Sequence, residues 1–181
     1  GFGGEVLRRN GGIPVAMPGG EIFTALQTGT IDAAEWIGPY NDLAFGMHKV
    51  ASHYYYPGWH EGGPSLECII NKEAFESLPD DLQAIVEIAI QSTNDTMLAE
   101  FVARNASALQ QIKKMNQINI KPFPKQVMNA FERTTDEIIK EIEAKDPLFA
   151  KIYQSFSEYK KKAAEWTKIS EYALLKHRYK D

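Results

Sequence analysis

The order of apolar and polar residues divides the chain near Pro79. Before it, short apolar segments are cut by Gly and Pro. After it, apolar residues recur every three or four positions over long stretches, the period of amphipathic helices. In the first part, "IPVAMP" reads as a short strand. "GGEIFTALQTG" reads as a helix of two to three turns with Ile22, Phe23 and Leu26 inward and Gly29 closing it. "TIDAAEWIG" reads as a mixed or extended stretch. "PYNDLAFGMHKVA" reads as a helix with Pro39 in its first turn. "SHYYYPG" and "SLECIINK" read as strands from their aromatic and β-branched content. Helix and strand alternating at this spacing predict an α/β layer arrangement.

In the second part, the acidic start at Asp80 and Asp81 opens a helix with Leu82, Ile85, Val86, Ala89, Thr93, Met97, Phe101, Ala108, Leu109 and Ile112 inward. A helix of about 35 residues runs about 50 Å. "INIKPFP" interrupts the helical pattern as a strand near 118–123. A second helix is expected from Pro124 to about Ala144. A third starts near Pro147, with Phe149, Ile152, Tyr153, Phe156, Ala163, Trp166, Ile169 and Tyr172 forming one stripe. Helices this long exceed what so small an α/β part can cover, so a further domain or a second chain is expected against them. The predicted organisation is therefore an α/β ligand-binding part over 1–78 and a helical part over 79–181.

Composition narrows the function classes. The 181 residues are 44% hydrophobic and 24% charged, enough apolar material for a core. A net charge of −4 argues against nucleic acid, which would want a basic stripe. No apolar run approaches the ~20 residues of a membrane span. The single cysteine, Cys68, excludes a disulfide framework and a Cys-rich zinc site, and its apolar surroundings predict burial.

Four kinds of chemistry can be weighed. "GFGG" and "PGGE" have neither dinucleotide nor Walker spacing, so a tight turn explains them better. His48, His53, His60 and Glu61 do not follow a zinc-hydrolase pattern. Glu35 and Glu61 could serve as an acid–base pair, although nothing distinguishes them from other glutamates. The fourth is a small-ligand cleft. Glu35-Trp36 and Trp59-His60-Glu61 each set an acid near a large ring. Two carboxylates facing one space repel, and a cation resolves the repulsion. Oxygen donors suit Na⁺ or Ca²⁺. Such a cation could complete its shell with an α-oxygenated carboxylate, walled by tryptophan. On pattern alone, Trp36 and Trp59 as core residues with both acids at the surface remains the simpler reading.

The stretches "GGEIFTALQTGTIDAAEWIGPYND" and "YYYPGWHEGGPSLECIINKEAFESLP" resemble the solute-binding proteins of TRAP transporters, the DctP-like family. "YYPGWHE" is similar to the branch for 2-oxo and 2-hydroxy monocarboxylates of the pyruvate or lactate kind. The resemblance covers essentially the whole chain. It implies a periplasmic binding protein of the type II kind, not an enzyme, which delivers its ligand to a membrane permease. It also implies a bound Na⁺ or Ca²⁺ held by Glu35, Trp36 (through its backbone carbonyl) and Glu61, with the substrate against the same groups. Trp59 and the tyrosines are then walls or core. Family members run to about 300 residues, so the first domain, an amide-bearing cation ligand and a carboxylate-gripping arginine are expected upstream of Gly1. Arg8 and Arg9 lie too far along to replace that arginine. The resemblance further implies a homodimer through the C-terminal helices. Two other readings stay open: an enzyme using Glu35 and Glu61, and a helical interaction module.

Overall fold

The computed structural model of the chain describes residues 1–59, 63 and 67–179. Eight α-helices and two strands are present among them. They are α1 (Phe2–Arg9), α2 (Gly19–Thr28), α3 (Pro39–Ala44), β1 (His53–Tyr56), α4 (Lys72–Glu76), α5 (Asp80–Lys113), β2 (Asn119–Pro122), α6 (Lys125–Glu143), α7 (Pro147–Ile169) and α8 (Glu171–Arg178). A 3₁₀ turn, Met47–Lys49, follows α3.

These elements form two compact units. One holds residues 1–13 and those from 126 onward; the other holds residues 14–125. The cuts fall at 13/14 and 125/126, whereas the sequence pattern changes at Pro79. In the second unit β1 and β2 pair in parallel, with Tyr54 opposite Ile120 and Tyr55 opposite Lys121. A parallel pair needs a crossover of a dozen or more residues. Here α4 and α5 supply it. Among the described residues, Ile22, Ala25, Met47, Ala108 and Ile112 are the buried apolar residues of this unit.

Several expected elements appear where the sequence placed them. α2 ends at Gly29, whose φ of 72° is the left-handed closure that glycine makes easily. α5 runs unbroken for 34 residues, and β2 and α6 follow it as predicted. Other elements differ. "IPVAMP" has no regular structure. Neither do residues 67–71 of the second expected strand; Ser65 and Leu66 lie outside the described residues. A strand exists only where a partner edge meets it, and among the described residues the one ladder is β1–β2. Cys68 is exposed, contrary to expectation, in a segment, 67–71, that is exposed throughout and has no regular structure. The helix expected over 39–51 breaks after Ala44. Gly46, at φ 74°, turns the chain into the 3₁₀ segment. Ser170 breaks the helix expected beyond Pro147 into α7 and α8.

The inward reading of α5 holds best toward its C-terminal end. Ala108 and Ile112 are buried and Val86, Met97, Phe101 and Leu109 half-buried, whereas Leu82, Ile85, Ala89 and Thr93 are exposed. α7 shows a similar departure. Phe149 and Tyr153 stack on one another, with ring centroids 5.8 Å apart, and are half-buried. Leu148, Ile152, Tyr159, Trp166 and Ile169 are open to solvent. The aromatic stripe is therefore two faces, one partly packed and one bare.

In the first unit, Val6 and Ile138 form the core with Thr134, whose hydroxyl accepts from Asn10 Nδ2 at 3.0 Å. An ion cluster fastens α1 to α6 alongside this core. Arg8 and Arg9 both donate to Glu5, and Arg9 reaches Glu141 with two parallel bonds of 2.7 Å. The hydrogen bonds from Arg8 and then Arg9 hold the Glu5 carboxyl down to about 2, and Arg9 lowers that of Glu141. A carboxyl depressed in the folded state stabilises above its ordinary value of 4.5 and loses that contribution as pH falls toward its folded value. The melting temperature at low salt is thus expected to fall between pH 4.5 and about 2. In Arg9→Gln that acid-dependent drop should shrink, because the shared partner is gone. An equal drop in both proteins would show that the cluster contributes nothing.

Candidate functional site

The segment between α2 and α3 carries the first pair of candidate residues. Glu35 is exposed and Trp36 is half-buried. The Trp36 ring lies between two neighbours. It packs on Phe45, with centroids 5.0 Å apart and planes tilted by 54°. Its far edge rests on Gly19, where an added Cβ would lie 2.3 Å from a ring carbon. Only glycine permits that approach. The Trp36 indole nitrogen is enclosed and has no hydrogen-bond partner among the described residues. Packing thereby holds the Trp36 ring, and the Trp36 carbonyl and the adjoining Glu35 carboxylate are neighbouring hard oxygen donors along the chain. That donor type fits Na⁺ or Ca²⁺.

The third candidate, Glu61, lies outside the described residues, as does His60. Trp59, just before them, is half-buried. Among the described residues, no group of three or more His, Cys, Asp or Glu could hold a metal ion. The structure therefore brings Glu35 and Trp36 together through the chain and leaves the approach of Glu61 to be tested.

A hydrogen bond joins the segment after Glu35-Trp36 to the strand before Trp59. Tyr54, on β1, donates its hydroxyl to Asp42 Oδ2, on α3, at 2.5 Å. Asp42 comes six residues after Trp36, and Tyr54 five residues before Trp59. The bond links the segment that carries Glu35 to the strand leading toward Glu61. Burial pushes the Asp42 carboxyl up, opposed by the Tyr54 hydroxyl and the Ile37 and Gly38 amides. Burial, then the hydrogen bond to Asp42, pushes the Tyr54 phenol well above its ordinary range. Tyr54 is therefore protonated across the ordinary pH range and remains the donor. A cavity of about 30 Å³ lies beside this pair, lined by Asp42, Met47, His48, Tyr54 and Ile112 among others. It is about the size of one water, far too small for a three-carbon acid.

The far side of the loop is held by α5. Asn105 Oδ1 accepts from the Tyr40 backbone N–H at 2.9 Å. The Arg104 guanidinium lies 5.1 Å from the centre of the Tyr40 ring, and Phe101 meets that ring edge-on at 6.1 Å. The sequence reading missed Asp42, Tyr54, Arg104 and Asn105. One signal was available: Asn105 falls on the line Phe101, Asn105, Ala108, Ile112, a polar residue in an apolar stripe.

Comparison with known proteins bears on these residues as a set. Residues 1–146 match the family of bacterial extracellular solute-binding proteins, family 7. Over 171 residues the chain is 37% identical to a monocarboxylate 2-oxoacid-binding periplasmic protein of Nostoc sp., covering 94% of this chain and 47% of that protein. A TRAP periplasmic solute-binding protein of Colwellia psychrerythraea, solved with calcium and pyruvate, is 40% identical with a TM-score of 0.91, over 98% of this chain and 54% of that one. A counterpart from Pseudoalteromonas atlantica, solved with sodium and pyruvate, is 39% identical with a TM-score of 0.90, over 97% and 54%. A TRAP solute-binding protein of Bordetella bronchiseptica, a dimer with calcium and picolinate in its occupied site, is 40% identical with a TM-score of 0.93, over 99% and 53%. This chain spans about half the length of these relatives. They are transport proteins that bind solutes, which sets aside the acid–base enzyme and bears out the α/β solute-binding fold. On the family match and these identities together, the chain belongs to the bacterial extracellular solute-binding protein family 7.

Proposed function

We propose that this chain is part of the extracytoplasmic receptor of a TRAP transporter, and that the receptor captures a small 2-oxo or 2-hydroxy monocarboxylate together with Na⁺ or Ca²⁺. Glu35, the Trp36 carbonyl and Glu61 are the proposed cation ligands, and the substrate lies against the same groups. The observation that carries the reading is the adjacent Glu35-Trp36 donor pair, with the Trp36 ring packed between Gly19 and Phe45, in a chain about 40% identical to two proteins solved with pyruvate and a hard cation. The chemistry is consistent. A 2-oxo or 2-hydroxy acid presents a carboxylate oxygen and a neighbouring oxygen to one ion, and hard cations take such oxygens readily. Working in the periplasm and handing the acid to a membrane permease belong to the same proposal, as does a homodimer through α7.

Calorimetric titration of the gene product that carries this chain, with pyruvate or lactate, tests the reading. Heat of binding that requires a cation, with no product formed, is the expected result. Loss on adding chelator would point to calcium, and dependence on sodium alone to sodium. Turnover of the acid would overturn the proposal, as would cation-independent binding that persists in Glu61→Gln.

A further inference from the structure

α3 begins without a cap of its own. Its N-cap residue is Gly38, which has no side chain, and Pro39 follows at the first helical position. A helix start leaves backbone N–H groups unpaired, and an N-cap side chain ordinarily accepts from the second or third of them. The second is that of Tyr40. Its acceptor is Asn105 Oδ1, on a helix 65 residues away in sequence. Gly38 also permits this bond sterically. A Cβ at position 38 would lie 3.2 Å from Asn105 Oδ1, so the absent side chain makes room for the acceptor that replaces it. Gly38 has extended backbone (φ 166°), which any residue adopts, so its role is the close approach.

The capped turn lies immediately after the donor pair. Glu35 and Trp36 are followed by Ile37, Gly38, Pro39 and then Tyr40. Fixing the Tyr40 amide fixes the end of that short link. Its other end is held by the Trp36 ring between Gly19 and Phe45. We propose that Asn105 is a positioning residue for the cation site: by capping α3 from α5, it sets where the Glu35 carboxylate and the Trp36 carbonyl stand. This rests on the cation-site reading given above. Groups that orient metal ligands commonly change metal affinity by 10- to 100-fold when removed.

The test uses the gene product carrying this chain and reads two quantities. One is the affinity for pyruvate in the presence of the required cation, measured well below the melting temperature. The other is hydrogen exchange at the Tyr40 amide. Asn105→Ala is expected to weaken affinity about tenfold and to speed Tyr40 exchange. Asn105→Asp keeps an oxygen acceptor and is expected to stay within about threefold of the parent, with Tyr40 still protected. A residue that merely stabilised the fold would shift melting in Asn105→Ala and leave affinity untouched; that outcome overturns the proposal. If Asn105→Ala does not fold, Gly38→Ala decides, because its Cβ, 3.2 Å from Asn105 Oδ1, crowds the acceptor by a few tenths of an ångström without deleting it. Weakened affinity in Gly38→Ala supports the proposal and parental affinity overturns it. A parent protein that binds no acid with any cation defeats the cation-site reading, and the positioning role falls with it. Parental binding with an indifferent Asn105 defeats the positioning role alone.

Discussion

On the proposed cation site, replacing Glu35 by glutamine is expected to weaken cation-dependent binding of pyruvate by about a hundredfold. The substitution preserves shape and one oxygen while removing a full negative charge. Affinity for hard cations depends strongly on the number of charged ligands, so the loss should appear in the cation titration first and in the acid titration through it. Glu35 is exposed and its neighbour Trp36 carries the packing, so the melting temperature should hardly move. Glu87→Gln, on the exposed part of α5, serves as the control and should match the parent. An affinity for Glu35→Gln within threefold of the parent would remove Glu35 from the ligand set. Glu61→Gln should behave like Glu35→Gln if both carboxylates share one ion.

Trp166→Glu is expected to break the homodimer proposed through α7 into monomers. Ile152, Tyr159 and Trp166 repeat every seven residues on α7, with Leu148 and Ile169 on the same side, and all five are exposed. Spacing of seven keeps residues on one helix face, the arrangement by which two helices bury a shared seam. Trp166 is 68% exposed in the single chain, an unusual position for so large a ring without a partner. Buried tryptophans are among the residues whose loss weakens interfaces most, by about 2–4 kcal/mol or roughly 30- to 1000-fold. A glutamate adds the penalty of desolvating a charge. Sedimentation velocity across a concentration series reads the outcome directly. A parent protein that sediments as a monomer at high concentration, or a Trp166→Glu variant that still dimerises, would reject α7 as the interface.

The sequence made local features legible and long-range ones largely not. α2 could be drawn to its last residue because apolar spacing and Gly29 are both local signals. β1 was recognisable from three tyrosines in a row, and β2 from the break between two helical periods. The unpaired stretches at 13–18 and 67–71 had comparable strand character and lacked only a neighbouring edge, which no local pattern reveals. Leu82 and Ile85 carry the same periodic signal as Ile112, yet only Ile112 is buried. Periodicity tells which face of a helix is apolar and leaves open what covers it. The site divides the same way. Glu35, Trp36 and Glu61 came from a short motif, whereas Asp42, Tyr54 and Asn105 act through contacts between distant segments. Gly38 before Pro39 was the overlooked local clue, a helix start with no acceptor of its own.

The contact between Gly19 and Trp36 bears on the order in which this sequence can change. Alanine at 19 would meet the indole, so it becomes acceptable only in a chain whose residue 36 has already shrunk or turned away. A smaller residue at 36 opens a gap that glycine cannot fill. Each change is unfavourable first and tolerable second. The two positions, seventeen residues apart, are thus coupled by packing, and a change at either alone is expected to loosen the hold on the Trp36 ring.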